Sequence, residues 1–335
     1  MRAVSSQGLF SPATYHHHRH PFNMDIIAQV EDRDIPRVID PTVAAFAPLL
    51  KAKKNFIREI PMKSFKYGEL DRHHLDIYYP LTSSSEKTPI LFFVYGGGFD
   101  TGERSISPKT FGLVYACLAA FFARRGYVVV IPDYRLVPNV EFPGPAEDVR
   151  DAVRWVVNNA NELVSSGSPV PDLDHIVLMG HSAGAVHVST MLFCPNVLPA
   201  DDPLRPKIVA AVLESPPFDL SAMTMEWPSA PTHAKYWGTL ESAKANDPLH
   251  LYRRLPNEAV EKLPKILMVE GEFEPDFLID AGDVFRKEVK ERTGVQPKEI
   301  IAKGHNHISL NWALSTGQGE DWAERTVEWL KELKD

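Results

Sequence analysis

The chain carries Gly180-His181-Ser182-Ala183-Gly184, preceded by the apolar run Ile176-Val177-Leu178-Met179 and followed by Ala185-Val186-His187-Val188-Ser189-Thr190-Met191-Leu192. A strand, a Gly-x-Ser-x-Gly turn and a helix in succession make a nucleophile elbow. The turn is tight enough that only small residues fit beside the serine. It holds the Ser182 hydroxyl at the sheet edge, above a helix N-terminus that favours nearby negative charge. An idle serine on a glycine-rich turn has the same five letters, so the flanking chain must decide.

Working outward, near-continuous apolar runs recur at Ile90–Tyr95, Tyr127–Ile131, Ile208–Leu213, Lys265–Val269 and Glu299–Ala302. Such runs suit strands buried on both faces. Between them lie helical patterns. Phe111 to Arg125 is one. Ala146, Val149, Val153, Val156, Ala160 and Leu163 form an apolar stripe. Phe277, Ala281, Val284 and Phe285 form another, and Trp322, Thr326, Trp329, Leu330 and Leu333 mark a closing helix. Alternating strands and helices predict an α/β fold: a mostly parallel central sheet with helices on both faces. Phe65 to Tyr79 reads as an antiparallel hairpin at one edge. Val43, Phe46, Leu49 and Leu50 predict one or two short helices within 24–60. Residues 215–263 break the alternation; they are proline-rich and hold Met223, Met225, Trp227, Tyr236 and Trp237. A connection this long without regular structure is often a functional lid. We expect a tail over 1–23, then one domain over 24–335 with cap elements from 24–60 and 215–263.

Composition narrows the function. A net charge of −8 argues against nucleic acid or an anionic membrane as main partner. No apolar run approaches the ~20 residues needed to span a bilayer. Two cysteines, Cys117 and Cys194, make no disulfide framework and suit a reducing, cytoplasmic compartment. The first 23 residues lack acidic groups and so also resemble a transit peptide; the tract His16-His17-His18-Arg19-His20 is read as part of a polar tail, not as a metal site.

Activating a serine needs a histidine base and an orienting carboxylate, in the order Ser, acid, His for this architecture. The acid belongs after the strand at 265–269, where Glu272, Glu274 and Asp276 compete. The base belongs after the last strand, where His305 and His307 compete. Acyl transfer also needs backbone N–H donors for the oxyanion. Gly96-Gly97-Gly98, just after a buried strand, and Ala183, just after the serine, can supply them.

Together these stretches resemble the α/β-hydrolase-fold esterases of the hormone-sensitive-lipase-like group. Tyr95-Gly96-Gly97-Gly98-Phe99 resembles the His-Gly-Gly-Gly-Phe/Trp oxyanion motif, and Asp133-Tyr134-Arg135-Leu136-Val137-Pro138 resembles the Asp-Tyr-Arg-Leu-Ala-Pro segment. Phe142-Pro143 with Glu147-Asp148-Val149 is similar to the stretch that leads into the next helix. The resemblance runs from about Phe65 onward. It implies an acid before a proline, which is Glu274 in Glu272-Phe273-Glu274-Pro275, and a base three residues after a glycine, which is His307 after Gly304. Asp276 and His305 are the second choices. Glutamate replaces the commoner aspartate. Tyr95 replaces the motif's histidine, so its hydroxyl either anchors the loop or faces the substrate.

The resemblance implies a serine carboxylesterase acting on a small ester through an acyl-enzyme, with Ser182, Glu274 and His307 as triad. Gly97, Gly98 and Ala183 form the oxyanion hole, and no metal or cofactor is required. Formamide hydrolysis of the kynurenine-formamidase type and lactone hydrolysis use the same apparatus. A non-catalytic small-ligand receptor of the same fold is the reading from another class. The sequence leaves the oligomeric state open.

Overall fold

The apolar runs are strands of one eight-stranded sheet in the computed structural model, which describes residues 23–81, 87–106, 109–164 and 170–333. The expected tail and its histidine tract fall outside these residues, except that Asn23 opens a helix, Asn23–Ala28. The strands are β1 (Met62–Lys66), β2 (His74–Tyr78), β3 (Thr88–Val94), β4 (Val128–Pro132), β5 (Pro171–His181), β6 (Ile208–Glu214), β7 (Lys265–Phe273) and β8 (Lys298–Asn306). Their order is β1-β2-β4-β3-β5-β6-β7-β8. β1 and β2 pair antiparallel, as does β2 with β4; every later pairing is parallel.

Burial follows from the residues. β3 and β4 are buried along their whole length, because helices cover both faces of the sheet centre. Antiparallel β1 sits at the edge and is mostly exposed. The elbow strand β5 lies between β3 and β6, so the ends of β3, β5, β6, β7 and β8 gather at one edge. Open parallel sheets bind ligands at that carboxyl edge.

Two segments differ from the sequence reading. The 24–60 stretch holds an 18-residue helix, Ile35–Ala52, between two short ones, Asn23–Ala28 and Lys54–Arg58. Residues 215–263 are not an irregular connection. They contain helices Ala230–Trp237, Leu240–Asn246, Pro248–Arg253 and Asn257–Glu261. Pro231 and Pro248 stand in the first turns of two of them, where the missing N–H costs nothing. The first two of these helices share a second apolar cluster, separate from the main core, with Phe99, Val137, Ala183 and Val186, whereas Leu249, Leu251, Tyr252 and Val260 of the last two belong to the main core.

Candidate active site

Ser182 occupies the step between β5 and the helix Ala183–Phe193, with φ 53° and ψ −123°. A non-glycine residue held at positive φ is strained, and the surroundings fix it here. The Ser182 N–H donates to the Glu214 carbonyl at 2.8 Å, tying the elbow to the end of β6. Gly184 is required by packing: a Cβ there would lie 2.1 Å from the Val94 carbonyl oxygen.

The ends of β7 and β8 bring Glu274 and His307 together. His307 Nδ1 lies 2.7 Å from Glu274 Oε2, and both side chains are buried. With Nδ1–H donating to the carboxylate, the neutral ring keeps its Nε2 lone pair free to take a proton. Glu274 Oε1 accepts from the Ser215 hydroxyl at 2.5 Å and from the Gly271 N–H at 3.4 Å. The competing residues go elsewhere. Glu272 Oε2 accepts from the Gly304 N–H at 2.8 Å and Oε1 pairs with Lys303, which holds its carboxyl below the usual range. Asp276 is exposed and pairs with Arg33 at 3.3 Å. His305 is enclosed between Ser309 Oγ at 3.0 Å and the Gly319 carbonyl at 2.8 Å, and burial lowers its pKa to about 4.

The glycine loop follows β3. Gly97, Gly98 and Phe99 have φ of 142°, 61° and 76° in succession. Gly97 is confined by the loop's own fold, since a Cβ would lie 2.2 Å from the Thr101 carbonyl oxygen. Tyr95 resolves in favour of anchoring. Its buried hydroxyl donates to Asp133 Oδ1 at 2.8 Å and accepts from Arg72 Nη2 at 2.8 Å. Arg72 also donates to the Gly102 and Tyr134 carbonyls. The Tyr134 hydroxyl in turn donates to the Tyr95 carbonyl at 2.6 Å. The loop is thus pinned at both its entry and its exit.

A cavity of about 830 Å³ opens over this edge, and Ser182, His307, Gly97 and Gly98 all line it. Ile35, Ile39 and Val43, four residues apart on one long helix, form an apolar wall. Tyr115, Ile308 and Trp312 line it as well. Among the described residues, 215–263 contribute nothing to the lining.

Two buried groups sit behind the site. His181 Nε2 lies 2.8 Å from the His307 carbonyl; burial, helped by the nearby His307, pushes its pKa down to about 3. A neutral His181 therefore donates its Nε2–H to that carbonyl and steadies the His307 backbone. Glu214 is pushed up to about 8 by burial, with the Glu274 charge adding to the shift and a 2.8 Å hydrogen bond from Asn311 opposing it. Ser215, His181, Arg72 and Asn311 are contributions that the sequence reading did not assign. The φ of 44° at Ser215 has no sequence signature.

Among the described residues, Asp219, Asp247 and His250 bring metal-ligand atoms within 4.8 Å of one another. They lie in the 215–263 segment, away from the cavity lining. Asp247 already accepts from the Leu220 and His250 N–H groups and contacts the His250 ring, so it serves as a helix cap.

Residues 75–289 match the BD-FAE family model, a span that runs from β2 through β7 and stops before His307. Esterase B from Lactobacillus rhamnosis superposes with a TM-score of 0.63 at 18% identity, over 90% of this chain and 98% of that one. The butyrate-bound esterase Est2 from Thermogutta terrifontis gives 0.59 at 23%, over 83% and 95%. At these identities the likeness is one of fold. The kynurenine formamidase of Drosophila melanogaster is 27% identical over 180 residues, 52% of this chain and 53% of that protein. Arabidopsis thaliana ICMEL1, named as a probable isoprenylcysteine alpha-carbonyl methylesterase, is 26% identical over 260 residues, 74% of this chain and 51% of that one. The chain thus spans about half the length of these two relatives. It spans only 6% of the non-reducing polyketide synthase ausA of Aspergillus calidoustus, at 32% identity over 162 residues. With six of the eight strands, the elbow and the glycine loop inside the matched span, the chain belongs to the BD-FAE family and has an α/β-hydrolase fold.

Proposed function

We propose that the protein is a carboxylic ester hydrolase that works through an acyl-enzyme on Ser182. The observation that carries this reading is the buried 2.7 Å contact of His307 with Glu274, at a cavity that Ser182 also lines. In the first step His307 Nε2 takes the Ser182 proton as Oγ attacks the ester carbonyl. Glu274 orients the ring and stabilises its cationic form. The N–H groups of Gly97, Gly98 and Ala183 hold the oxyanion. Collapse of the tetrahedral intermediate breaks the C–O bond to the alcohol, and His307 returns the proton to that oxygen. Water then enters by the same steps, and the acid leaves. Every proton is accounted for by these side chains and water.

The apolar wall of Ile35, Ile39 and Val43 favours an ester with an apolar acyl or alcohol part. The names of the relatives supply a methyl ester and a formamide as further substrates to test. A fluorophosphonate probe should label the protein, and Ser182→Ala should remove the label. Turnover of p-nitrophenyl acetate and octanoate should exceed that of N-formylkynurenine. A folded wild-type protein that shows no Ser182-dependent labelling rules this function out.

A further inference from the structure

The helices of 215–263 do not line the cavity, yet they reach the catalytic edge by another route. The connecting residue is Phe99, the first side chain after the glycine loop. Its φ of 76° is unfavourable for a residue with a Cβ, so packing must hold it there. The Phe99 ring is buried and stacks on Tyr236, with centroids 4.6 Å apart and planes 12° apart. The Trp237 ring meets its edge at 5.1 Å. The Phe99 carbonyl accepts from the Val137 N–H at 3.1 Å.

Tyr236 is itself held at two further points. Its carbonyl accepts from the Phe142 N–H at 2.7 Å. Its hydroxyl lies 3.2 Å from His187 Nδ1, and His187 belongs to the helix that begins at Ala183. The His187 ring packs edge-on against Tyr134, whose hydroxyl holds the Tyr95 carbonyl. Ala183 and Val186 are buried in the same cluster as Phe99, Tyr236 and Trp237. One block of side chains therefore touches both sources of oxyanion donors: the glycine loop through Phe99, and the elbow helix through Ala183 and His187.

We infer that Tyr236 is a positioning residue for the oxyanion hole, and that 215–263 acts as a brace between the glycine loop and the elbow helix rather than as a substrate-facing cap. This inference rests on the ester-hydrolase reading above. The brace fixes the distance between two groups of donors whose charge stabilisation depends on that distance. Misplacement by about 1 Å can cost on the order of 100-fold in rate. A brace of this kind affects the transition state and leaves ground-state binding in the cavity alone.

The test compares wild type with Tyr236→Leu, Tyr236→Phe and Phe99→Leu, using p-nitrophenyl acetate turnover and inhibition by an alkyl trifluoromethyl ketone. The ketone adds to serine and places negative charge on its oxygen. Tyr236→Leu should lower kcat at least about tenfold with KM within about twofold. It should weaken ketone inhibition by a similar factor. Tyr236→Phe keeps the stacked ring but removes the hydroxyl that reaches His187, so its kcat should fall between those of wild type and Tyr236→Leu. Circular dichroism confirms folding; should Tyr236→Leu fail to fold, Phe99→Leu probes the same contact from the loop side. A folded Tyr236→Leu or Phe99→Leu protein with kcat within twofold of wild type, or with the loss confined to KM, overturns the brace. Wild-type turnover that is insensitive to Ser182→Ala overturns the hydrolase reading itself and is seen before any Tyr236 variant is compared.

Discussion

At the scale of single residues, Glu274 depends on its neighbours as much as on its own position. Glu274→Gln keeps the shape but removes the charge that favours the His307 cation. We expect kcat to fall by about 10³–10⁴, with KM little changed. Ser215→Ala removes the 2.5 Å donor to Glu274 Oε1, and kcat should fall by roughly tenfold. Steady-state kinetics on one short ester checks both. The proline register in the sequence points to Glu274, and Glu274 is the carboxylate that reaches His307. Ser215 was not legible, because its usefulness comes from β6 ending beside β7, and strand order is not written in any local pattern. Arg72 was hidden for the same reason: it lies between the two antiparallel strands of the edge hairpin and acts across to the β3 loop.

At the scale of elements, the inner strands were legible because their burial on both faces leaves continuous apolar runs. The helices of 215–263 were not, because they are five to eight residues long. Periodicity needs a window of about 11–18 residues to register. Prolines that open two of these helices looked like breakers. Pro41 and Pro48 likewise disguised the length of Ile35–Ala52. That long helix carries a prediction of its own. Ile39→Asp puts a charge on the cavity wall and should lower kcat/KM for p-nitrophenyl octanoate by about tenfold or more. Activity on p-nitrophenyl acetate should change much less, because the shorter chain extends less far from Ser182. Equal losses on both esters would remove the helix from the substrate path.

At the scale of the whole molecule, the buried Glu214 links stability to pH. Its folded pKa of about 8 stands above the ordinary carboxylate value of 4.5. The folded state therefore holds a proton that the unfolded chain has already lost between these two values. The stability associated with this proton is fully present below pH 4.5 and declines as pH rises toward 8, at up to roughly 1.4 kcal/mol per unit. Glu214→Gln is neutral at every pH and can keep the Asn311 contact. The variant should gain on wild type as pH rises from 5 to 8, and the gap should level off above 8. Urea unfolding at four or five pH values gives the curve; a constant gap would mean that Glu214 is ionised in the folded protein throughout.

The phenol at position 95 bears on acid tolerance. Burial first, and then the neighbouring Tyr134 and Asp133, raise the Tyr95 hydroxyl well above its ordinary pKa of 10. The phenol that ties the glycine loop to Asp133 is thus uncharged from the most acidic working pH upward. A histidine in this place, as in the motif the loop resembles, ordinarily titrates near pH 6.5. The phenol that anchors the glycine loop keeps its proton across that range, so this anchoring group is the same in acid as at neutral pH. Tyr95→His should add to the pH–rate profile an acid-side fall beyond the one that a general-base mechanism already gives wild type.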